Sequence, residues 1–345
     1  MNPVVIVHGP EPFDKGDVAY LWERMGPLRI IVAGIMGRTA AEESGFPHER
    51  GEHAPSVVLR DLCRNCDPFL LNHAKTPESG RIFGEIIARR LGGKGFVHVE
   101  CRDRTIYCWD RGSARLAQYL GELLGLPWKE VRSVKEADGK TRVIGGCLPG
   151  EPVFVNGTII GTATGTSVVL ASHHGILVPL EGLMVKPHGL EKLARQGRIN
   201  LSAAWCKSGN VRKSRPKEAG KVQERGRIAV VDHAGHRLYE QLGEDTCGVL
   251  SIGDDTTAIC GHICSHLGIP VFGVVDGDFD GIIEPVFPEG SVVVEVIKGR
   301  DDEIGKEIAG LTGGPEIHWP SWVKEILGQL GGVARIVVDR QSPPS

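Results

Sequence analysis

Two short acidic turns hold the residues best suited to chemistry. The first, Gly253-Asp254-Asp255-Thr256-Thr257, follows the apolar run GVLSI. The second places Asp276, Asp278 and Asp280 just after GIPVFGVV. Three carboxylates within five residues repel one another unless they are solvated, protonated or bound to a cation. A hard divalent ion such as Mg²⁺ is the natural counter-charge, because it takes oxygen ligands. Asp276, Asp278 and Asp280 are therefore candidate metal ligands, with Asp232 as a further ligand or base. Asp276, Asp278 and Asp232 are also the candidate catalytic residues, since a bound metal can polarise a phosphoryl oxygen. Gly253, Asp254, Asp255, Thr256 and Thr257 would line the phosphate side, at a helix start. Aspartate and glycine are also ordinary turn residues, so a solvated loop that holds nothing is the competing reading.

These turns need a scaffold, and the flanking pattern supplies one. Ala258, Ile259, Ile263 and Leu267 recur at helical spacing, Gly268 stops the helix, and IPVFGVV reads as a buried strand. In an open parallel sheet ligands collect at the carboxyl ends of strands, where both acidic turns fall. Residues 228–345 repeat the alternation, beginning with the strand Ile228-Ala229-Val230-Val231-Asp232. Asp301 or Asp302 is placed to cap a later helix.

Near the start, Val4-Val5-Ile6-Val7 is a strand ending at His8, and a second strand over 28–33 runs into GIMGRTAA. There Gly37, Arg38 and Thr39 form a second candidate phosphate turn, although a Walker lysine and a full dinucleotide fingerprint are lacking. Its competing explanation is a glycine needed for close packing of helix on strand. Further strands near 68–71 and 95–100, with helices between and after, predict a Rossmann-like parallel sheet over 1–150. Periodicity then changes. PVFVNGTIIG is two short strands around Asn156-Gly157, a strong hairpin signal, and 151–206 reads as a small β barrel or sandwich. His173 and His174 would point to opposite faces of a strand and make a poor chelating pair. Residues 207–227 carry eight Lys or Arg against two Glu and read as a mobile basic linker. The fold class expected is α/β in three parts joined by that linker.

Composition narrows the partners. At 41% hydrophobic, 24% charged and net charge −3, the 345-residue chain has no global basic excess that would demand a nucleic acid. The local basic stretch leaves nucleic acid a minor alternative, without interleaved aromatics for base stacking. No apolar run nears the ~20 residues that span a bilayer, so no membrane partner is expected. Met1-Asn2-Pro3 leads directly into a strand and nine cysteines are scattered in odd number, which together suggest a cytoplasmic protein with reduced thiols. Cys63 and Cys66 form a CxxC, but Cys101 and Cys108 do not make the second close pair a zinc site wants, so all four read as structural thiols.

Resemblances enter on these same motifs. Asp232 ending one strand, Gly253 after the next, and Asp276, Asp278 and Gly281 after a third resemble the toprim fold of topoisomerases, primases and some nucleases, over about 70 residues. That family carries Glu where this chain has Asp232. The GDDTT turn followed by GIPVFGV is also similar to the nucleotide-phosphate turn of phosphofructokinases and NAD kinases, short of one glycine. Across its length, through VHGPEPFD, GIMGRTA and the GDDTTAI…DGDFDG pair, the chain resembles an uncharacterised family of archaeal, chiefly methanogen, proteins. The toprim resemblance implies Mg²⁺-dependent binding, and if catalytic turnover, of a phosphorylated ligand such as a nucleotide or phosphodiester. A small-molecule or nucleotide kinase, or a non-catalytic sensor or assembly factor, remain the alternatives.

Overall fold

Runs of Val, Ile and Leu form the strands, because β-branched side chains suit a pleated, buried backbone. The computed structural model describes residues 1–51, 53–62, 66–134, 141–195, 197–201, 204–220, 223–279, 281–314 and 316–341. The chain is mixed α/β and divides into two compact units, Met1–Asn210 and Val211–Ser345.

The first unit contains a seven-stranded sheet made of β1 (Pro3–His8), β2 (Arg29–Ala33), β3 (Glu49–Gly51), β4 (Asp67–Asn72), β5 (Phe96–Glu100), β6 (Thr105–Trp109) and β7 (Trp128–Val131). Their order is β3-β2-β1-β4-β5-β6-β7, with β3 through β5 in that order all parallel. The chain therefore travels outward from β1 to β2 and β3, then returns to the other side of β1 for β4. The helices are α1 (Glu11–Asp14), α2 (Asp17–Met25), α3 (Ile35–Ser44), α4 (Pro55–Asp61), α5 (Pro77–Leu91) and α6 (Ala114–Leu124). One core joins Val5, Val7, Phe69 and Val99 to Leu21 and Leu120; another joins Ile6, Leu70 and Trp109 to Ile87. Thr76 starts α5 through a reciprocal cap with Ser79, which orders the loop after β4.

The same unit carries the expected antiparallel strands: β8 (Thr141–Gly145), β9 (Pro152–Val155), β10 (Thr158–Ala163), β11 (Ser167–His173), β12 (Ile176–Glu181), β13 (Leu183–Val185) and β14 (Cys206–Ser208), with α7 (Pro187–Arg195). They form sheets ordered β13-β10-β9-β14 and β12-β11-β8. Asn156 and Gly157 join β9 to β10 with positive φ of 48° and 85°, as a tight hairpin requires. These strands begin before residue 151, at β8.

Within the basic stretch at 207–227, several described residues are anchored. Lys207 sits in β14 opposite Phe154, and Arg225 begins the next strand. Between them the Val211 N–H donates to the Ile282 carbonyl, the Ala219 N–H donates to the Ser265 carbonyl, and Arg212 is buried. Cys66 is disulfide-bonded, a departure from the expected reduced thiols, whereas Cys101 and Cys108 are free. Cys63 lies outside the described residues.

The second unit has β15 (Arg225–Asp232), α8 (Leu238–Gln241), β16 (Thr246–Ile252), α9 (Asp254–Leu267), β17 (Val271–Val275), β18 (Val292–Val296), α10 (Asp301–Ala309), β19 (Ile317–His318), α11 (Trp319–Gln329) and β20 (Ala334–Asp339). The sheet order is β19-β15-β16-β17-β18-β20, and β15 to β18 run parallel. Thr257 of α9 packs on Gly273 of β17 from one face, while Trp319, Trp322 and Ile308 cover the other. Gly248 is where the α11 side packs closest. A Cβ there would stand 2.0 Å from the Trp319 ring, which is itself buried, stacked on Trp322 and tied by its N–H to the Gly290 carbonyl. Gly248→Ala should therefore destabilise the protein by about 1–3 kcal/mol through overpacking. Calorimetry should show Tm lowered by several degrees, at roughly 2–4 °C per kcal/mol; an unchanged Tm would show that Trp319 moves aside freely.

Candidate metal centre

Because β15, β16, β17 and β18 run parallel and side by side, their carboxyl ends open along one edge. Each end delivers an acid there. Asp232 closes β15, Asp254 opens α9 one residue beyond the Gly253 turn, Asp276 follows β17, and Asp301 and Asp302 open α10 after β18. Gly253 holds φ at +95°, and a Cβ on it would lie 2.9 Å from Nε2 of His233. Glycine is thus required twice over, for the backbone and for the imidazole that sits against it.

Two groups of potential ligands result. Oxygens of Asp254, Asp276 and Asp301 all lie within 4.8 Å of one another, as do ligand atoms of Asp232, His233 and Asp302. Within the first group the Asp276 N–H donates to Oδ2 of Asp254 at 3.1 Å, and the Asp278 N–H donates to Oδ1 of Asp276 at 3.2 Å. Asp301 is only 6% exposed; its Oδ1 accepts the Asp302 N–H at 2.9 Å, while its buried Oδ2 has no hydrogen-bond partner. Nε2 of His233 stands 4.0 Å from that oxygen. His233 Nδ1 pairs with Oδ1 of Asp232 at 2.6 Å and its Nε2 lies 3.4 Å from Oδ1 of Asp302.

Electrostatics follows the geometry. Burial, then a hydrogen bond to Asp276 and the charges of Asp276 and Asp301, push the Asp254 carboxyl up to about 7. Burial and the Asp276 charge likewise raise Asp301. A positive charge would satisfy the stranded buried acceptor and ease the ionisation of these carboxylates. Three carboxylate oxygens suit a hard cation with waters in its remaining positions.

Among the expected ligands, Asp276 joins the first group and Asp232 the second. Asp278 belongs to neither, and Asp280 lies outside the described residues. Asp254, expected beside a phosphate, is part of the acidic group itself. Thr257 turns inward, its hydroxyl 2.9 Å from that of Ser251; Thr256 is also buried, and Asp255 is half-buried. At the other candidate turn, Gly37 packs within 3.0 Å (as a built Cβ) of the Gly9 carbonyl, Arg38 pairs with Glu42 and Thr39 donates to the Ile35 carbonyl. His233, Asp301 and Asp302 escaped sequence reasoning. Their signal was position: each follows a parallel strand of the same sheet.

The chain belongs to an archaeal family without an assigned function. A family profile described as "Uncharacterized protein conserved in archaea (DUF2117)" matches residues 5–312. "Uncharacterized protein MJ0065" of Methanocaldococcus jannaschii is 32% identical over 325 residues, which cover 88% of this chain and 89% of that protein. No solved structure matches the chain. Among the described residues no helix is long and apolar enough to cross a membrane.

The raised Asp254 carboxyl gives a stability test. A folded-state value of about 7 against an ordinary 3.8 means the native state holds the proton more tightly. Stability from this group is thus full below about 3.8 and lost progressively as pH rises from there through 7. In metal-free buffer, the melting advantage of Asp254→Asn over wild type should be smaller near pH 5 than near pH 8. A difference independent of pH would contradict the carboxylate crowding.

Proposed function

We propose that the second unit binds Mg²⁺ through Asp254, Asp276 and Asp301, and through the ion a phosphorylated ligand such as a nucleotide. The observation that carries this reading is Oδ2 of Asp301, a buried acceptor without a hydrogen bond, beside two further carboxylates. A divalent ion there would satisfy that oxygen and relieve the repulsion that raises Asp254. The ion would leave part of its coordination shell facing outward, where phosphate oxygens replace water. The first turn of α9 lies beside it, and helix N-termini favour anions. With a phosphorylated ligand in place, the metal would polarise a phosphoryl oxygen, and the Asp232–His233 pair stands at the neighbouring strand end as the candidate proton carrier. Turnover of a nucleotide is the catalytic extension of this reading, and a ligand sensor is what remains if the ligand binds unchanged.

Titration calorimetry with Mg²⁺ alone tests the metal site. Wild type should bind one ion per chain, Asp276→Asn should lose it, and Asp232→Asn should retain it. Asp276 is exposed, so its substitution should not compromise folding. Loss with Asp232→Asn but not Asp276→Asn would move the ion to the Asp232, His233 and Asp302 group; no binding to wild type would end the proposal. A hundredfold excess over Kd should stabilise the fold by about 2.7 kcal/mol. ADP should add to that stabilisation only when Mg²⁺ is present, and addition without Mg²⁺ would remove the metal from the ligand site.

A further inference from the structure

A separate constellation lies on the sheet of the first unit, at the place where its strand order reverses. β1 has β2 on one side and β4 on the other, so the connections leaving their carboxyl ends diverge and open a crevice. Three polar residues end three neighbouring strands in register: His8 of β1 opposite Asn72 of β4, and Asn72 opposite Glu100 of β5. They are hydrogen-bonded in a line. The Asn72 amide donates to Oε2 of Glu100 at 2.6 Å, so its Oδ1 is the atom that faces Nδ1 of His8 at 3.0 Å. An amide oxygen only accepts, so the His8 proton must be on Nδ1. Nε2 is left with a lone pair, and it has no hydrogen-bond partner among the described residues.

Glu100 is fully buried and anchors the line, accepting also from the N–H groups of Ala74 and Arg102. Burial would raise its carboxyl, but His98, Ala74 and Asn72 together hold it below the usual value. The His8 ring is fixed by stacking on Phe83 at 4.3 Å. Burial brings His8 down to about 4, against the Asn72 hydrogen bond and with help from the nearby Lys207, so the imidazole is neutral at physiological pH.

Lys207 completes the arrangement. It lies close enough to His8 and Glu11 for its charge to act on both, and burial lowers its own ammonium. Yet among the described residues it makes no ion pair or hydrogen bond. Its neighbour Lys75 differs, being held by Glu151 at 2.5 Å and by the Ser208 hydroxyl. No metal-capable group of acids and histidines occurs here among the described residues, which leaves the ammonium as the charge to be satisfied. A cavity of about 260 Å³ in this unit lies elsewhere, lined by Asp67, Pro68 and Phe96 at the strands' amino ends.

We propose that the carboxyl ends of β1 and β4 form a second site, for a small hydroxylated anion. Its phosphate or carboxylate meets Lys207, and its hydroxyl donates to Nε2 of His8. Asn72 and Glu100 hold the ring in the tautomer that presents the Nε2 lone pair. Glu11 would accept from a second donor of the ligand.

Histidine NMR on the full-length protein in metal-free buffer at constant ionic strength tests this. Long-range ¹H–¹⁵N spectra should show His8 as the Nδ1–H tautomer at pH 7. Inorganic phosphate and glycolate, titrated separately, distinguish the phosphate from the carboxylate form of the ligand. At least one should shift the His8 signals saturably. Lys207→Gln should weaken that response at least tenfold, Lys207→Arg should preserve it, and Asp276→Asn should leave it unchanged because that residue serves the other site. A His8 protonated on Nε2, no saturable shift with either anion, or an undiminished response in Lys207→Gln would each overturn the proposal.

Discussion

Carboxylates crowded into a partly buried space must be neutralised, and the second unit is arranged around that demand. Asp254 and Asp301 open two helices and Asp276 follows a strand, with 22 and 25 positions of chain between successive members. Only a parallel sheet with β16, β17 and β18 side by side brings them together. The hydrophobic effect assembles the sheet, by burying Phe272, Val274, Val292 and Val294 against Trp319, Trp322 and Ile308. It therefore supplies the free energy that holds like charges near each other. Asp301 shows the result most clearly, a buried acid with one oxygen accepting the Asp302 N–H and the other without a hydrogen bond among the described residues.

The same local device occurs in both units. At β2 and at β16 the strand stops at a glycine with φ near +95° and ψ near 146°, and a helix begins at once. In the second unit that turn delivers Asp254 to an acidic edge. In the first it is followed by Gly37 packed on Gly9 and by Thr39 bonded to its own helix. The polar edge of the first unit comes instead from His8, Asn72 and Glu100, which are strand ends themselves. One edge collects acids, and the other carries an imidazole hydrogen-bonded to Asn72.

Much of this was legible in the chain. The apolar runs with glycine stops mark β1, β2, β16 and β17, and Asn156-Gly157 marks its hairpin, because these depend on neighbours in sequence. The acidic turns were legible as well, down to Asp276. Asp301 and Asp302 were not, since as a local pattern they read as capping residues, whereas Arg300 holds the N-cap position of α10 without a side-chain cap bond, and only sheet order places that helix start beside β17. His233 was hidden for the same reason. At 207–227 a high density of Lys and Arg suggests solvent, and the division between the two units falls within that stretch, after Asn210. Lys207 pairs its backbone with Phe154 in β14 and Arg212 is buried near His262, contacts that no local count of charge reveals.

The metal-binding claim is tested most directly by growing crystals with Mn²⁺ in place of Mg²⁺ and locating it by anomalous scattering. One peak is expected, with carboxylate oxygens of Asp254, Asp276 and Asp301 at roughly 2.1 Å, the range for a small hard cation. A peak on Asp232, His233 and Asp302 alone, or none at millimolar metal, would contradict it.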